Sequence, residues 1–469
     1  MQRLRYLPFC LILFALTTVP AARGAAGPTP LLPQIFLPLV AGRAAPRPSI
    51  GVVVSREPTA IVSDYADDLN LGWVFTGDIL WDKVEPVRGG ELDWSSAASV
   101  EANIRRAHAS GAEAVITVQR TPFWAQDGNG RLCSPPQSQY YADLAAFAQR
   151  VAERYRSGDL RVAVIQFWNE PDFSRQEVGD TSGIGCWGSK DPPYFGGIDY
   201  GYALRFFHDG AKRGNPDVKV AAGVLAHFWP DDTRSLGFVR GMIRSGGADA
   251  FDLLSYHGYG MGNEPVDRIV GKGLNLQRVL AEEGAADTPV FATEVGATCF
   301  ESYCPPNAAA YQSGYGARVY AESIALGLYG AIWYTLAEPG SGFLFSHLLQ
   351  ERGDQVTPRP AYYGLRNSAA LLDGATYIGP PLATMTFSGL DTPHALRFAR
   401  PGGEVWVVWI QRTSGSVSYD LAVPPGTRAV CTEQLGQPEP AVRGCSDADG
   451  DGVIRLTVST EPVYVQTFP

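Results

Sequence analysis

The sequence carries no Cys-x-x-Cys pair and no His-Glu-x-x-His stretch, which removes the commonest zinc signatures from a chain of 469 residues. No segment repeats at the period of a solenoid, so an array of stacked units is excluded. Positive charge is in deficit: 38 Lys and Arg against 48 Asp and Glu leave a net charge of −10. A nucleic-acid partner, which needs clustered cations to neutralise phosphates, is therefore disfavoured, whereas a neutral polysaccharide is compatible. Long apolar runs are missing too. The run from Leu7 to Val19 falls short of the about 20 residues that span a bilayer.

That short run has another reading. Arg3 and Arg5 precede it, and Ala21, Ala22, Gly24 and Ala26 follow, the pattern of a secretory signal peptide over residues 1–26. A retained N-terminal anchor is the alternative. Residues 27–48, rich in Pro and Ala around Ile35-Phe36-Leu37, read as a linker or an arm. Of the seven cysteines Cys10 lies in the signal segment, and an even remainder in an exported chain favours disulfides. Proximity pairs Cys299 with Cys304 and Cys431 with Cys445, leaving Cys133 with Cys186, although other connectivities are formally open.

From about Ser49, short apolar β-rich runs alternate with helical patterns, the signature of βα units. Strands are expected at Ile50–Val54, Gly72–Phe75, Ala114–Val118, Val162–Trp168, Val218–Gly223, Phe251–His257, Pro289–Glu294 and Gly330–Thr335. Eight such strands close a (β/α)8 barrel, and their continuous rather than alternating hydrophobicity fits burial on both faces. Asp93 is expected to cap the helix that follows the second strand. The barrel is assigned to residues 49–373. Beyond Gly374 short runs separated by Gly, Pro and Asp form an all-β, sandwich-like pattern over 374–469, expected to pack against the barrel.

Two glutamates follow barrel strands. Glu170 stands in Phe167-Trp168-Asn169-Glu170-Pro171-Asp172 after the fourth strand, and Glu294 in Ala292-Thr293-Glu294-Val295-Gly296 at the end of the seventh. Catalytic groups of such barrels project from the C-terminal strand ends. Cleaving a glycosidic bond with retention needs one carboxylic acid to protonate the leaving oxygen and one carboxylate to attack, with no cofactor. Asn169 is placed to bond a sugar 2-hydroxyl.

In order along the chain, Asn-Glu-Pro after strand four and Thr-Glu-x-Gly at strand seven resemble clan A of the glycoside hydrolases, among them family 5 cellulases and family 39 xylosidases. Trp81-Asp82-Lys83-Val84-Glu85-Pro86 with Asp93-Trp94, Pro122-Phe123-Trp124-Ala125, His257-Gly258-Tyr259 and Trp333 on strand eight are similar as well. The resemblance implies that Glu170 is the acid/base and Glu294 the nucleophile. It further implies that Asn169 holds the nucleophile and the 2-hydroxyl, and that Tyr259 keeps Glu294 ionised. His257 would line the same wall, Trp333 would floor the sugar subsite, and Trp81 or Trp124 would stack on neighbouring units. One residue departs from the pattern: Thr76 aligns where the clan has an arginine that supports the nucleophile.

Bland readings exist beside these. Asn169-Glu170-Pro171 suits a helix-capping turn, His257 a satisfied core histidine, and Trp124 plain packing. Glu85 reads as a turn cap, Glu338 as a residue near the cleft, and Glu282 and Glu283 as a solvated helix face. Asp447, Asp449 and Asp451, with Gly452, match the start of a calcium loop. The twelfth position is Val458, not an acid, so a polar hairpin turn is the competing reading. The function expected is a secreted retaining β-glycosidase acting on a carbohydrate. The rivals are a catalytically silent carbohydrate-binding barrel and a structural surface protein.

Overall fold

The computed structural model describes residues 50–54, 60–128, 130–179, 181–226, 233–261, 268–299, 308–337, 347–385, 391–411 and 415–469. The signal-like segment and the linker lie outside them, as do Cys304 and Glu338. The apolar runs form strands β1 (Ile50–Val53), β2 (Trp73–Leu80), β3 (Glu113–Gln119), β4 (Val164–Phe167), β5 (Lys219–Leu225), β6 (Leu253–Met261), β7 (Val290–Thr298) and β8 (Ala331–Trp333). They pair in parallel in chain order, and β8 closes on β1. The first half of the helical layer is α1 (Ala60–Asp68), the single turn α2 (Trp81–Val84), α3 (Ala98–Ala109), α4 (Tyr141–Arg154) and α5 (Arg175–Val178). The second half is α6 (Gly197–Gly214), α7 (Thr233–Gly246), α8 (Arg268–Glu282), α9 (Ala308–Leu326) and α10 (Pro360–Leu371). This is a (β/α)8 barrel. No helix among the described residues is long and apolar enough to cross a membrane.

One apolar side chain from each strand fills the barrel floor: Val53, Trp73, Val115, Val164, Ala221, Leu253, Phe291 and Ile332. Toward the C-terminal strand ends the interior turns polar. Gln166 Nε2 donates to Thr117 Oγ1 at 2.9 Å, and Gln119 Nε2 to Asp78 Oδ2 at 2.7 Å. The sequence reading stopped β2 at Phe75; the strand instead runs on to Leu80 through a bulge between Phe75 and Gly77. The extra residue turns Thr76 toward the helix layer. Its hydroxyl donates to Val115 O at 3.1 Å, and its carbonyl accepts from Asn103 of α3. Asp78 takes the inward place beside Thr117. Asp93 does act as a cap, accepting from the Ser95 amide at 2.9 Å in the turn that leads into α3.

After β8 come a hairpin of β9 (Leu349–Arg352) and β10 (Gln355–Pro358), then β11 (Thr376–Tyr377), β12 (His394–Arg400), β13 (Gly403–Trp409), β14 (Ser416–Ala422), β15 (Arg428–Glu433), β16 (Ala441–Gly444), β17 (Val453–Ser459) and β18 (Val463–Phe468). β11-β12-β13-β18-β15-β16 form one antiparallel sheet, and β14 pairs with β17 in a second. Between them Val408, Leu421, Ile454, Leu456 and Val465 are buried in a core of their own. This region sits on α9 and α10: Tyr464 donates to Ala317 O at 2.6 Å, and Asn367 to Leu435 O at 2.8 Å. Gly314 of α9 approaches so closely that an added Cβ would lie 2.6 Å from Thr460 O. Disulfides join Cys133 to Cys186 and Cys431 to Cys445, and Cys299 is disulfide-bonded as well.

Candidate active site

Glu170 owes its position to a strained exit from β4. Trp168 and Glu170 take left-handed backbone angles, φ 70° and 50°, which non-glycine residues adopt only when their surroundings hold them. The holding contacts are visible. The buried Trp168 indole donates to Gly185 O at 2.8 Å, and the Gly185 amide returns a bond to Asn169 O at 3.0 Å. Cys186, next to Gly185, is tied by its disulfide to Cys133 in the loop after β3. On the other side Asp172 accepts from the Ala226 amide and from Ser235, both at 2.9 Å, pinning the loop to β5 and α7.

β6 and β7 supply the facing wall. His257 pairs in register with Glu294, and Tyr259 with Gly296, so His257, Tyr259 and Glu294 project from adjacent strands. His257, 1 % exposed, shares a hydrogen bond between its Nδ1 and Glu170 Oε1 at 2.8 Å and lies 3.4 Å from Glu294 Oε2. The Tyr259 hydroxyl donates to Glu294 Oε2. Atoms of Glu170, His257 and Glu294 lie within 4.8 Å of one another, and the two carboxylate side chains are only 12 % and 16 % exposed. The buried Lys272 holds the strand beneath, donating to Leu225 O and His257 O.

Burial raises the Glu294 carboxyl to about 7, with His257 opposing the rise and the Glu170 and Asp78 charges adding to it. The bond from Tyr259 works in the direction expected, lowering the Glu294 pKa, but burial outweighs it. His257 is raised in turn: the two carboxylates outweigh the burial that disfavours its cation. Thr76 brings no positive charge where the clan has an arginine, and His257 is the group whose charge lowers Glu294. Thr76 faces away, and Asp78 stands inside. Burial lifts Asp78 to about 6, against its bond from Gln119 and the charge of Arg120.

Other expectations fare differently. Trp333 is wholly buried against Tyr315 of α9, outside the barrel wall, and offers no ring face to a ligand. The next residue, Tyr334, is half-buried, packs on the interior cluster and meets Tyr259 edge to face at 6.0 Å. Trp81 is 1 % exposed, stacked on Phe147, with its indole donating to Glu85 Oε2 at 2.8 Å. Trp124 is half-buried against Trp81 and Tyr140, donating to Glu85 O, while its neighbour Phe123 is 66 % exposed. The Asn169 amide makes no hydrogen bond with Glu294 among the described residues. Glu85 is the turn cap expected, accepting also from the Gly89 amide. Glu282 pairs with Arg240 and Arg278 on the surface as expected, whereas Glu283, its side chain only 10 % exposed, is covered by Arg240 and Arg244.

The chain is similar in fold to solved glycoside hydrolases. A family 39 enzyme from Bacteroides cellulosilyticus is 19 % identical over 90 % of this chain and 81 % of its own, with a TM-score of 0.66. A family 30 subfamily 8 xylanase from Clostridium acetobutylicum is 12 % identical over 90 % and 96 %, at 0.59. An α-L-arabinofuranosidase from Thermotoga maritima is 11 % identical over 90 % and 96 %, at 0.53. No protein-family model matches the chain, and no curated protein matches it.

Proposed function

We propose that the chain is a secreted retaining glycoside hydrolase, with Glu294 as nucleophile and Glu170 as acid/base. The observation that carries this reading is that one oxygen of Glu170 and one of Glu294 lie within 4.8 Å of each other, with His257 against both, a closeness that favours the shorter of two known separations. Retaining enzymes hold the pair at about 5–5.5 Å, whereas inverting ones leave roughly 6.5–9.5 Å for a water. Glu294 attacks the anomeric carbon as its bond to the leaving oxygen breaks, and Glu170 gives that oxygen a proton. Water then attacks the same carbon, passing a proton to Glu170 and releasing Glu294. The disulfides and the leader-like residues 1–26 are compatible with export.

The test is a panel of nitrophenyl glycosides and oligosaccharides, with the first-formed anomer read by proton NMR. We expect a β-substrate to be cleaved to the β-anomer. An α first product means inversion; no turnover on any member favours the silent carbohydrate-binding barrel.

Two smaller outcomes follow from the site. Tyr334→Ala should lower kcat/KM roughly tenfold with little change in Tm, because a ring touching Tyr259 is lost. Trp333→Ala should instead cost about 3–5 kcal/mol of stability, the usual loss for a buried aromatic. The reverse pattern, by assay and thermal melting, removes Tyr334 from the site. Asp78→Asn should move the acid limb of kcat/KM to lower pH, because one of the charges that raises Glu294 is gone. An unmoved limb separates Asp78 from the nucleophile.

A further inference from the structure

The loop between β16 and β17 carries Asp447, Asp449 and Asp451, and one carboxylate oxygen of each lies within 4.8 Å of the others. Clustered surface acids are ordinary, and Arg455 already pairs with Asp451 and, at 3.7 Å, with Asp449. Asp447 is not ordinary. It is only 4 % exposed, and its Oδ2 accepts from the Gly426 and Gly452 amides at 2.7 and 3.0 Å. Its Oδ1 is buried and has no hydrogen-bond partner. A buried carboxylate oxygen without a well-placed donor is costly. Its neighbour in the cluster, Asp449, brings a second carboxyl group and no cation.

We propose that this loop binds a calcium ion through Asp447, Asp449 and Asp451, with water completing the shell. Hard oxygen donors at every second position, and a glycine at the sixth for the turn, are what calcium loops require. Gly450 and Gly452 supply left-handed angles, φ 70° and 81°. The bidentate acid of a complete loop is replaced by Val458, which is buried in the β core. The site therefore belongs with the weak extracellular class, with Kd about 10⁻⁴–10⁻³ M. Arg455, with a side chain 60 % exposed, is free to swing away as the cation takes its place.

The experiment is isothermal titration of the full, EDTA-treated chain with calcium chloride, and separately with magnesium chloride. We expect one saturable calcium site in that range, weakened at least tenfold by Asp447→Asn and by Asp449→Asn, and tightened by Arg455→Gln. Asp449 is exposed and takes no part in holding Gly426 or Gly452, so its variant carries the test if Asp447→Asn fails to fold. No saturable heat up to about 10 mM, ten times the weak end of that class, overturns the site. So does the same Kd in Asp449→Asn, and equal magnesium affinity overturns the choice of calcium.

Discussion

Glu294→Ala should abolish hydrolysis of every substrate, by roughly 10⁴-fold or more, because no covalent glycosyl-enzyme can form without the attacking carboxylate. Azide entering the vacated space should restore part of the activity and give a product of inverted configuration, read by NMR. A loss without azide response, or with retained configuration, takes the nucleophile's role from this residue. The same position should reveal what the site costs in stability. The Glu294 carboxyl lies at about 7 in the fold against an ordinary value of 4.5, so the fold favours its protonated form. Its stabilising contribution is complete below about pH 4.5 and is lost as pH rises through about 7. Glu294→Gln removes that titration. It should match the parent at pH 4 and exceed it at pH 8 by up to about 3 kcal/mol in denaturant unfolding. A less stable variant at pH 8 contradicts the buried-charge account. An inactive but stabilised protein is the usual exchange at a site built for chemistry.

The elements that position this site were readable because their cause is local. Strands buried on both faces need uninterrupted apolar runs, and Ala114–Val118 or Val162–Trp168 suits nothing else of that length between helical patterns. Glu170 and Glu294 were readable because polar residues at the ends of such strands have no packing reason to be there. Two of the differences share a physical root. In a strand apolar throughout, nothing local sets which alternate residue faces the barrel, and a one-residue shift exchanges the faces. Choosing Trp333 over Tyr334 is that shift. Ile332 on the floor fixes the phase, but only once the barrel is closed. Thr76 and Asp78 exchange places for a related reason: the bulge after Phe75 adds a residue that no hydrophobic period records. Trp81 was misplaced because a large aromatic near a cleft looks alike whether it packs on Phe147 or awaits a sugar. Composition does not separate the two.

Glu170→Ala should fail differently from Glu294→Ala, and the difference is chemical. A nitrophenolate departs without a proton, so on an activated aryl glycoside the first step should survive while natural linkages lose roughly 10²–10⁴-fold. Water in the second step then lacks its base. The glycosyl-enzyme should accumulate, giving a burst followed by slow turnover and a low KM. Azide needs no base, so it should accelerate that second step and yield a glycosyl azide of retained configuration, opposite to the Glu294→Ala product. His257 supplies a control. It is hydrogen-bonded to Glu170 at 2.8 Å and also lies against Glu294, so His257→Ala should depress both substrate types without an azide response. Glu170→Ala behaving like His257→Ala, with equal loss on both substrates and no azide product, would overturn the acid/base assignment. The proton donor would then have to be sought among the other carboxyls near the strand ends, beginning with Asp78, which burial brings to about 6.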